Sequence, residues 1–261
     1  MRVLVLLFLR VPKLGTNCKR GTFPRPAAVQ GFAQKGKAMT ITTCVFDAYG
    51  TLFDVNAAAR RAADTDPALA ALWQPLAEDW RRKQLEYSWL RAITGDHITF
   101  REVTAQALDW AMERHGLSDD ALRARLMDLY FVLDAYPEVP AMLDALAAAG
   151  LRAAILSNGS PDMLDAAVAS AGIGARLDAV LSVEEVGVFK PAAAVYDLVG
   201  ARMGCAPGQV LFVSSNGWDA AGAAGYGFHT AWVNRAGLPV DRLAARPHHV
   251  LPDLTTIPEL C

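Results

Sequence analysis

The sequence predicts an α/β fold: a Rossmann-like, doubly wound parallel sheet with a helical cap inserted after its first strand. Three observations carry this. The apolar run Ile41 to Phe46 stops abruptly in Asp47-Ala48-Tyr49-Gly50-Thr51, the pattern of a buried strand delivering a polar group to its carboxyl end. Helical spacing without strand signals then fills residues 55–135. From Leu151 onward, strand and helix signals alternate, the arrangement that builds a parallel sheet covered on both faces.

Each element has its own signal. The first strand is Ile41 to Phe46, rich in β-formers. The insertion is rich in Ala, Leu, Arg, Glu and Trp, broken by the loop signals Thr94-Gly95-Asp96-His97 and Gly116-Leu117-Ser118-Asp119-Asp120, and Tyr136-Pro137-Glu138-Val139-Pro140 ends it. Leu151 to Leu156 reads as a strand ending in Ser157-Asn158-Gly159. Pro161 to Ala171 follows as a helix, with Pro in its first turn and Gly172 past its end. Ala179 to Val183 is a strand, and a loop leads to Lys190-Pro191 and a helix over residues 192–203. Gln209 to Val213 is a strand ending in Ser214-Ser215-Asn216, with a helix from Trp218 to Ala224. Thr230 to Asn234 reads as the last strand. The core domain therefore comprises residues 39–54 and 136–261, and the helical cap residues 55–135.

At 261 residues, one core domain plus an insertion is the expected size. The net charge of −2 leaves no electrostatic footprint for nucleic acid. Charge is uneven, however. Residues 1–38 hold eight basic residues (Arg2, Arg10, Lys13, Lys19, Arg20, Arg25, Lys35, Lys37) and no acidic one, so the remainder sets 17 basic against 27 acidic residues. The apolar run Val3 to Leu9 is too short to span a bilayer. Arg10, Lys13 and the lack of a small-residue cleavage site argue against a signal peptide. Residues 1–38 are read as a disordered or mis-called extension, with Met39 opening the folded domain. The four cysteines, Cys18, Cys44, Cys205 and Cys261, lie far apart in sequence with no metal-like spacing, which fits a reducing cytoplasm and no disulfide framework.

Polar residues collect at the carboxyl ends of the strands: Asp47 and Thr51, Ser157 and Asn158, then Ser214, Asn216 and Asp219, with Lys190 in the loop after the third strand. One Ser-Asn-Gly turn is explained by helix capping. Several polar stops in register at the ligand-facing end of such a sheet are not. Each suits displacement chemistry. Asp47 is the candidate nucleophile, since a carboxylate forms an ester that splits one hard step into two. Lys190 would keep Asp47 ionised. Ser157 and the N–H groups of a helix N-terminus can hold a substrate carboxylate. Asp219 can orient or deprotonate the hydrolytic water. Thr51, Ser214 and Asn216 are expected to hydrogen-bond the two carboxylates. Metal is disfavoured, because Ser214-Ser215-Asn216 offers neutral groups where Mg²⁺ prefers carboxylates. No cofactor is called for.

In the insertion, Arg81, Leu85 and Trp89 fall at i, i+4 and i+8 on one helical face. Arg81 either snorkels to solvent or meets an anion among apolar neighbours. Arg82, spaced four residues from Glu78 and Glu86, reads as part of a solvated ion-pair face. The adjacent His248-His249 reads as a surface tail pair.

With Asp47-Ala48-Tyr49-Gly50-Thr51, Trp80-Arg81, Ser157-Asn158-Gly159-Ser160, Lys190-Pro191 through Tyr196 and Ser214-Ser215-Asn216-Gly217-Trp218-Asp219, the chain resembles the L-2-haloacid dehalogenases. These are the metal-free branch of the haloacid dehalogenase superfamily, and the resemblance runs from residue 41 to about 260. It implies that Asp47 attacks C2 of a short L-2-haloalkanoic acid with inversion and expels halide. Water then cleaves the Asp47 ester to give the D-2-hydroxy acid. It further implies that Arg81 and Asn158 receive the halide, and that Tyr49, Leu85, Phe100, Lys190, Asn216 and Trp218 line the substrate pocket. Tyr196 matches a site tyrosine near the lysine and reads equally as core. A homodimer is also implied. The residue after the cap arginine is commonly Gln among the members this chain most resembles; here it is Arg82, which would add charge and shrink the pocket if it turned inward. Other readings of the same residues stay open: an Mg²⁺-dependent small-molecule phosphatase, a catalytically weak binding protein, and a hydrolase opening a strained 2-carboxylate heterocycle.

Overall fold

The computed structural model describes residues 40–55, 60, 63–64 and 67–261. The reading of residues 1–38 as an extension lies outside the described residues. Six parallel strands form one sheet, β1 (Thr43–Phe46), β2 (Arg152–Ser157), β3 (Ala179–Ser182), β4 (Val210–Ser214), β5 (His229–Val233) and β6 (His249–Leu251), in the order β3–β2–β1–β4–β5–β6. The sheet is the doubly wound α/β architecture read from the sequence. β1 is central and buried along its whole length, flanked by β2 (Phe46 opposite Ile155) and β4 (Phe46 opposite Val213). Strand order reverses on either side of β1, so the loops leaving β1 and β4 diverge and open a crevice at their carboxyl ends.

The helices follow the same logic. α1 (Pro67–Ala70), α2 (Trp73–Thr94), α3 (Phe100–Arg114) and α4 (Asp120–Asp128) lie in the insertion, and α5 (Val139–Ala148), α6 (Pro161–Ser170), α7 (Ala193–Met203) and α8 (Gly217–Tyr226) connect the strands. α2 ends at Gly95, whose left-handed φ of 73° closes the helix on the Arg91 carbonyl. α3 begins with a Thr99–Glu102 capping box, and the Asp119 side chain caps α4 by accepting from the Leu122 N–H at 2.9 Å. α2 packs chiefly on α3, burying Leu76, Trp80, Gln84 and Ser88 against Val103, Thr104, Ala107 and Ala111. The chain returns under α5, where Leu254 and Ile257 are fully buried.

Three sequence readings change. Thr230 to Asn234 is not the last strand, because β6 adds a short parallel edge strand beyond it, pairing Ala231 with His249. Its residues are largely exposed and it has no apolar alternation, so periodicity could not reveal it. His249 therefore opens a strand, and His248 meets the Thr230 hydroxyl through Nδ1 at 3.0 Å instead of trailing in a tail. The Val139-Pro140 signal that reads as a terminator starts α5, with Pro in its first turn.

Candidate active site

β1 carries Asp47 to the crevice. The Asp47 N–H still bonds the Val213 carbonyl at 2.9 Å, and the chain leaves the sheet at once in a turn that needs Gly50 at φ 82°. The carboxylate is nearly buried, with 7% exposure, and both oxygens are engaged. Oδ1 lies 3.2 Å from Lys190 Nζ, while Oδ2 accepts from Thr51 Oγ1 at 3.1 Å and from Asn216 Nδ2 at 3.0 Å. Lys190 Nζ also reaches Asp219 Oδ2 at 2.9 Å, and Tyr196 Oη donates to Asp219 Oδ1 at 2.9 Å. One ammonium thus bridges two carboxylates in the interior.

Such an arrangement survives burial only because every charge is paired and hydrogen-bonded. Burial alone would lower the Lys190 pKa, but Asp219 and Asp47 outweigh it and hold the ammonium above its usual range. Burial pushes Asp219 upward, with Lys190 and Tyr196 acting against it. Burial and Asp219 push the Tyr196 phenol well above its ordinary value, so it stays a donor. Tyr196 is both core and site: it is fully buried and touches the second carboxylate.

Asn216 occupies the cap position of α8, yet its side chain makes no cap bond. It donates to Asp47, and its Oδ1 accepts from Arg81 Nη2 at 3.1 Å. Arg81 therefore meets the core across the crevice and does not snorkel into solvent. It also donates to a neutral partner, Gln84 Oε1 at 3.0 Å. The fully buried face of α2 is Leu76, Trp80, Gln84 and Ser88, one residue off the Arg81, Leu85 and Trp89 row, which is only half-buried. That half-burial leaves the guanidinium at the rim of the helix, free to reach across. Arg82 stays on the outer face, bonded to Asp79 at 2.9 Å and Glu86 at 3.5 Å. Asp79 takes the place expected for Glu78, since i−3 is as close as i−4 on a helix.

The remaining polar stops serve the backbone. Ser157 Oγ accepts from the Gly159 N–H at 3.1 Å, and Asn158 Oδ1 accepts from the Lys190 N–H at 3.0 Å, tying the lysine loop to the end of β2. Ser214 does not bond a carboxylate as expected. Its hydroxyl accepts from the Asn216 N–H at 3.1 Å, because a strand-to-helix turn leaves that N–H orphaned. Ser215 meets Thr51 instead, through its N–H at 2.8 Å.

Around this centre, Tyr49 stacks on Phe100 at 6.1 Å between ring centroids, and Trp218 meets Trp89 edge-on at 5.4 Å. Leu85 sits half-buried one turn beyond Arg81. The Tyr49 hydroxyl and the Trp218 indole N–H are buried with no partner among the described residues. Burial pushes the Tyr49 phenol far upward, so it too remains a donor.

Sequence reasoning missed four contributors. Gln84 is fully buried and holds Arg81 while donating to Thr104 Oγ1 at 2.8 Å. Ser215 braces Thr51. Glu184 accepts from the Phe100 N–H at 3.0 Å and from the Ser160 hydroxyl, whose oxygen in turn accepts from the Arg101 N–H at 3.0 Å. These last two bind the start of α3 to the sheet. Gln84 alone had a sequence signal, its i+3 spacing from Arg81. The others are long-range partners that no local spacing encodes.

A divalent ion fits poorly. The place between Asp47 and Asp219 is taken by the Lys190 ammonium, and Ser214, Ser215 and Asn216 are neutral. Among the described residues no group of three or more His, Cys, Asp or Glu side chains converges.

A carboxylate raised from the central strand, clamped by a buried lysine and faced by an arginine from the insertion, places the chain among the doubly wound α/β hydrolases. More particularly, it belongs to the haloacid dehalogenase-like hydrolase family, which matches residues 41–227. It is 42% identical over 221 residues to (S)-2-haloacid dehalogenase 1 of Pseudomonas sp. (strain CBS-3), covering 84% of this chain and 96% of that one. An (S)-2-haloacid dehalogenase of Xanthobacter autotrophicus is 46% identical over 196 residues, 75% of this chain and 76% of the relative. The solved structure of L-2-haloacid dehalogenase from Xanthobacter autotrophicus with chloropropionic acid covalently bound superposes with a TM-score of 0.76 at 39% identity, covering 85% and 98% of the two chains.

Proposed function

We propose that this chain hydrolyses L-2-haloalkanoic acids to D-2-hydroxy acids through an ester on Asp47. The observation that carries the reading is the Asp47–Asn216–Arg81 chain of hydrogen bonds. It joins a nucleophile to a cation across the crevice. Asp47 attacks C2, forming a C–O bond as the carbon–halogen bond breaks and the halide leaves with its electron pair. A halide needs no proton, so Tyr49 in place of a second acid is no loss. Arg81 and Asn158 receive the anion, and the unpartnered donors of Tyr49 and Trp218 offer hydrogen bonds that burial makes costly to leave unmade. The substrate carboxylate rests at Ser157 and the first N–H groups of α6. Water then attacks the Asp47 carboxyl carbon as Asp219 takes its proton. The bond from that carbon to the C2 oxygen breaks, and the C2 oxygen leaves with the proton from Asp219. The hydroxy acid departs with the configuration inverted in the first step. Lys190 holds both carboxylates in place throughout.

The relatives act on 2-haloacids by name, and one carries covalently bound chloropropionic acid. The test is halide release from L-2-chloropropionate in EDTA, with Asp47→Asn expected to lose at least about 10³-fold. Phosphate release from small esters that requires Mg²⁺, with no halide release, would move the chain to the phosphatase reading. We infer further a cytoplasmic homodimer: Cys44, Cys205 and Cys261 are free thiols, and exposed Leu90 and Ile93 give α2 an apolar outer end suited to a second copy. Among the described residues no helix is long and apolar enough to cross a membrane.

A further inference from the structure

Two thiols meet at the amino-terminal end of β1, away from Asp47. Cys44 is fully buried in this central strand, beside Ala153 of β2 and Leu211 of β4. Cys261 follows the turn Ile257–Leu260, which packs against α5 and is anchored by the fully buried Ile257. The two sulfurs lie 3.4 Å apart, although 217 residues separate them in the chain. Cys44 alone would read as a small core residue. Cys261 is exposed, and its sulfur sits between Cys44 and the Ile257 carbonyl, 3.8 Å away. The pair is also asymmetric. The Cys44 S–H holds Cys261 below the usual thiol range, while the bond to Cys261 and burial push Cys44 far upward. One thiol is reachable and inclined to ionise; the other stays protonated beside it. That is the division of roles between an attacking and a resolving cysteine.

We propose that Cys44 and Cys261 form a reversible disulfide when hydrogen peroxide oxidises the protein, stapling the central strand to the turn Ile257–Leu260. The Cys261 thiolate attacks one peroxide oxygen, the O–O bond breaks, and hydroxide leaves. The Cys44 sulfur then attacks the resulting sulfenic sulfur. The S–O bond breaks, and the OH group departs as water with the Cys44 proton. Two electrons pass from the thiols to the peroxide, and nothing else is consumed. The bond closes a loop of about 217 residues, and cross-links across long loops restrict the unfolded chain most. Thiol exchange reopens it in a reducing compartment, where disulfides that form are transient and redox-sensing. The staple stands at the end of β1 remote from the carboxylate cluster, so it stiffens the fold without entering the site.

The experiment treats the reduced full chain with hydrogen peroxide, blocks the remaining thiols by alkylation, and maps the cross-links by peptide mass spectrometry beside melting curves. The expected product is a Cys44–Cys261 peptide pair lacking two hydrogens. The melting temperature is expected to rise by at least about 5 °C and to return to its starting value with dithiothreitol. Cys261→Ser changes an exposed side chain, so this variant is expected to fold and to lose both the cross-link and the rise. Cys44→Ala is expected to leave Cys261 oxidised to sulfenic or sulfinic acid, because its resolving partner is gone. Oxidation of Cys261 in the unsubstituted chain with no bond to Cys44 overturns the proposal. So does a cross-link through Cys18 or Cys205 in its place, or a melting rise that persists in Cys261→Ser. Mass and melting are the readouts, so the outcome is separate from the dehalogenase reading.

Discussion

Asn216 shows how one residue can decide a site. An amide at a helix cap normally satisfies the helix; here that duty passes to Ser214, and the side chain is left to join Asp47 to Arg81. The positioning continues into the insertion through Gln84, which is fully buried and anchors the arginine by Oε1. Gln84→Leu keeps the volume and removes the anchor. It is expected to reduce kcat about 10- to 100-fold, the scale of a misplaced catalytic group, with thermal stability falling modestly. Halide-release kinetics beside a melting curve measure both, and an unchanged kcat in the folded variant would remove Gln84 from the mechanism. Lys190 gives the pH dependence. Burial would lower its pKa, yet the two carboxylates raise it above the ordinary 10.5. A folded-state pKa above the unfolded one means that the stabilisation is complete below about pH 10.5 and is lost as pH rises through the raised value. The pH profile is expected to show no descending limb from Lys190 below about pH 10. A limb near pH 8 that disappears in Lys190→Arg would contradict it. Asp47 and Asp219 were legible in the sequence because they follow strand ends, and Lys190 because it stands in the loop after the third strand. Glu184 was not, since its partner Phe100 lies 84 residues away in the chain, and Gln84 showed only its i+3 spacing from Arg81.

Among the elements, α8 packs closely against the site. Gly222 faces the lysine loop so closely that an added Cβ would lie 2.8 Å from Pro191 Cβ and 2.9 Å from Tyr196 Oη. Both neighbours belong to the segment that holds Lys190 and Asp219. Two effects oppose each other in Gly222→Ala. Helix propensity favours Ala by about 1 kcal/mol, and overpacking in a filled core costs roughly 1–3 kcal/mol. The Pro191 ring carbon has little freedom to move, so the second effect wins. The variant is expected to be less stable by about 1 kcal/mol and to lose activity about tenfold as Tyr196 is displaced from Asp219. A gain in stability with full activity would show that the loop yields. The strands that build the site were readable because they are buried on both faces and run as continuous apolar stretches. β6 and α5 were not, one because an exposed edge strand has no burial pattern and the other because Pro140 both ends and begins helices.

At the scale of the whole molecule, charge and site are separated along the chain. Every residue assigned to the reaction lies between Asp47 and Asp219, within the stretch matched by the family, while eight basic residues stand before Met39. A chain beginning at Met39 would carry 17 basic against 27 acidic residues, a net charge of −10 in place of −2. The substrate is itself an anion, so the shorter chain repels it more. That repulsion acts over a Debye length, about 10 Å at 0.1 M salt and about 30 Å at 0.01 M. Lys190 contacts Asp47 directly and Arg81 reaches it through Asn216, so both act at short range and are screened far less. The expected outcome is an unchanged kcat and melting temperature for the shorter chain. Its kcat/KM should be lowered about two- to fivefold at roughly 0.01 M salt and be indistinguishable from the full chain at 0.2 M, because long-range steering fades with screening while the local cradle persists. Steady-state halide release at the two ionic strengths decides it. A kcat loss that salt does not restore would mean that residues before Met39 reach the chemistry itself.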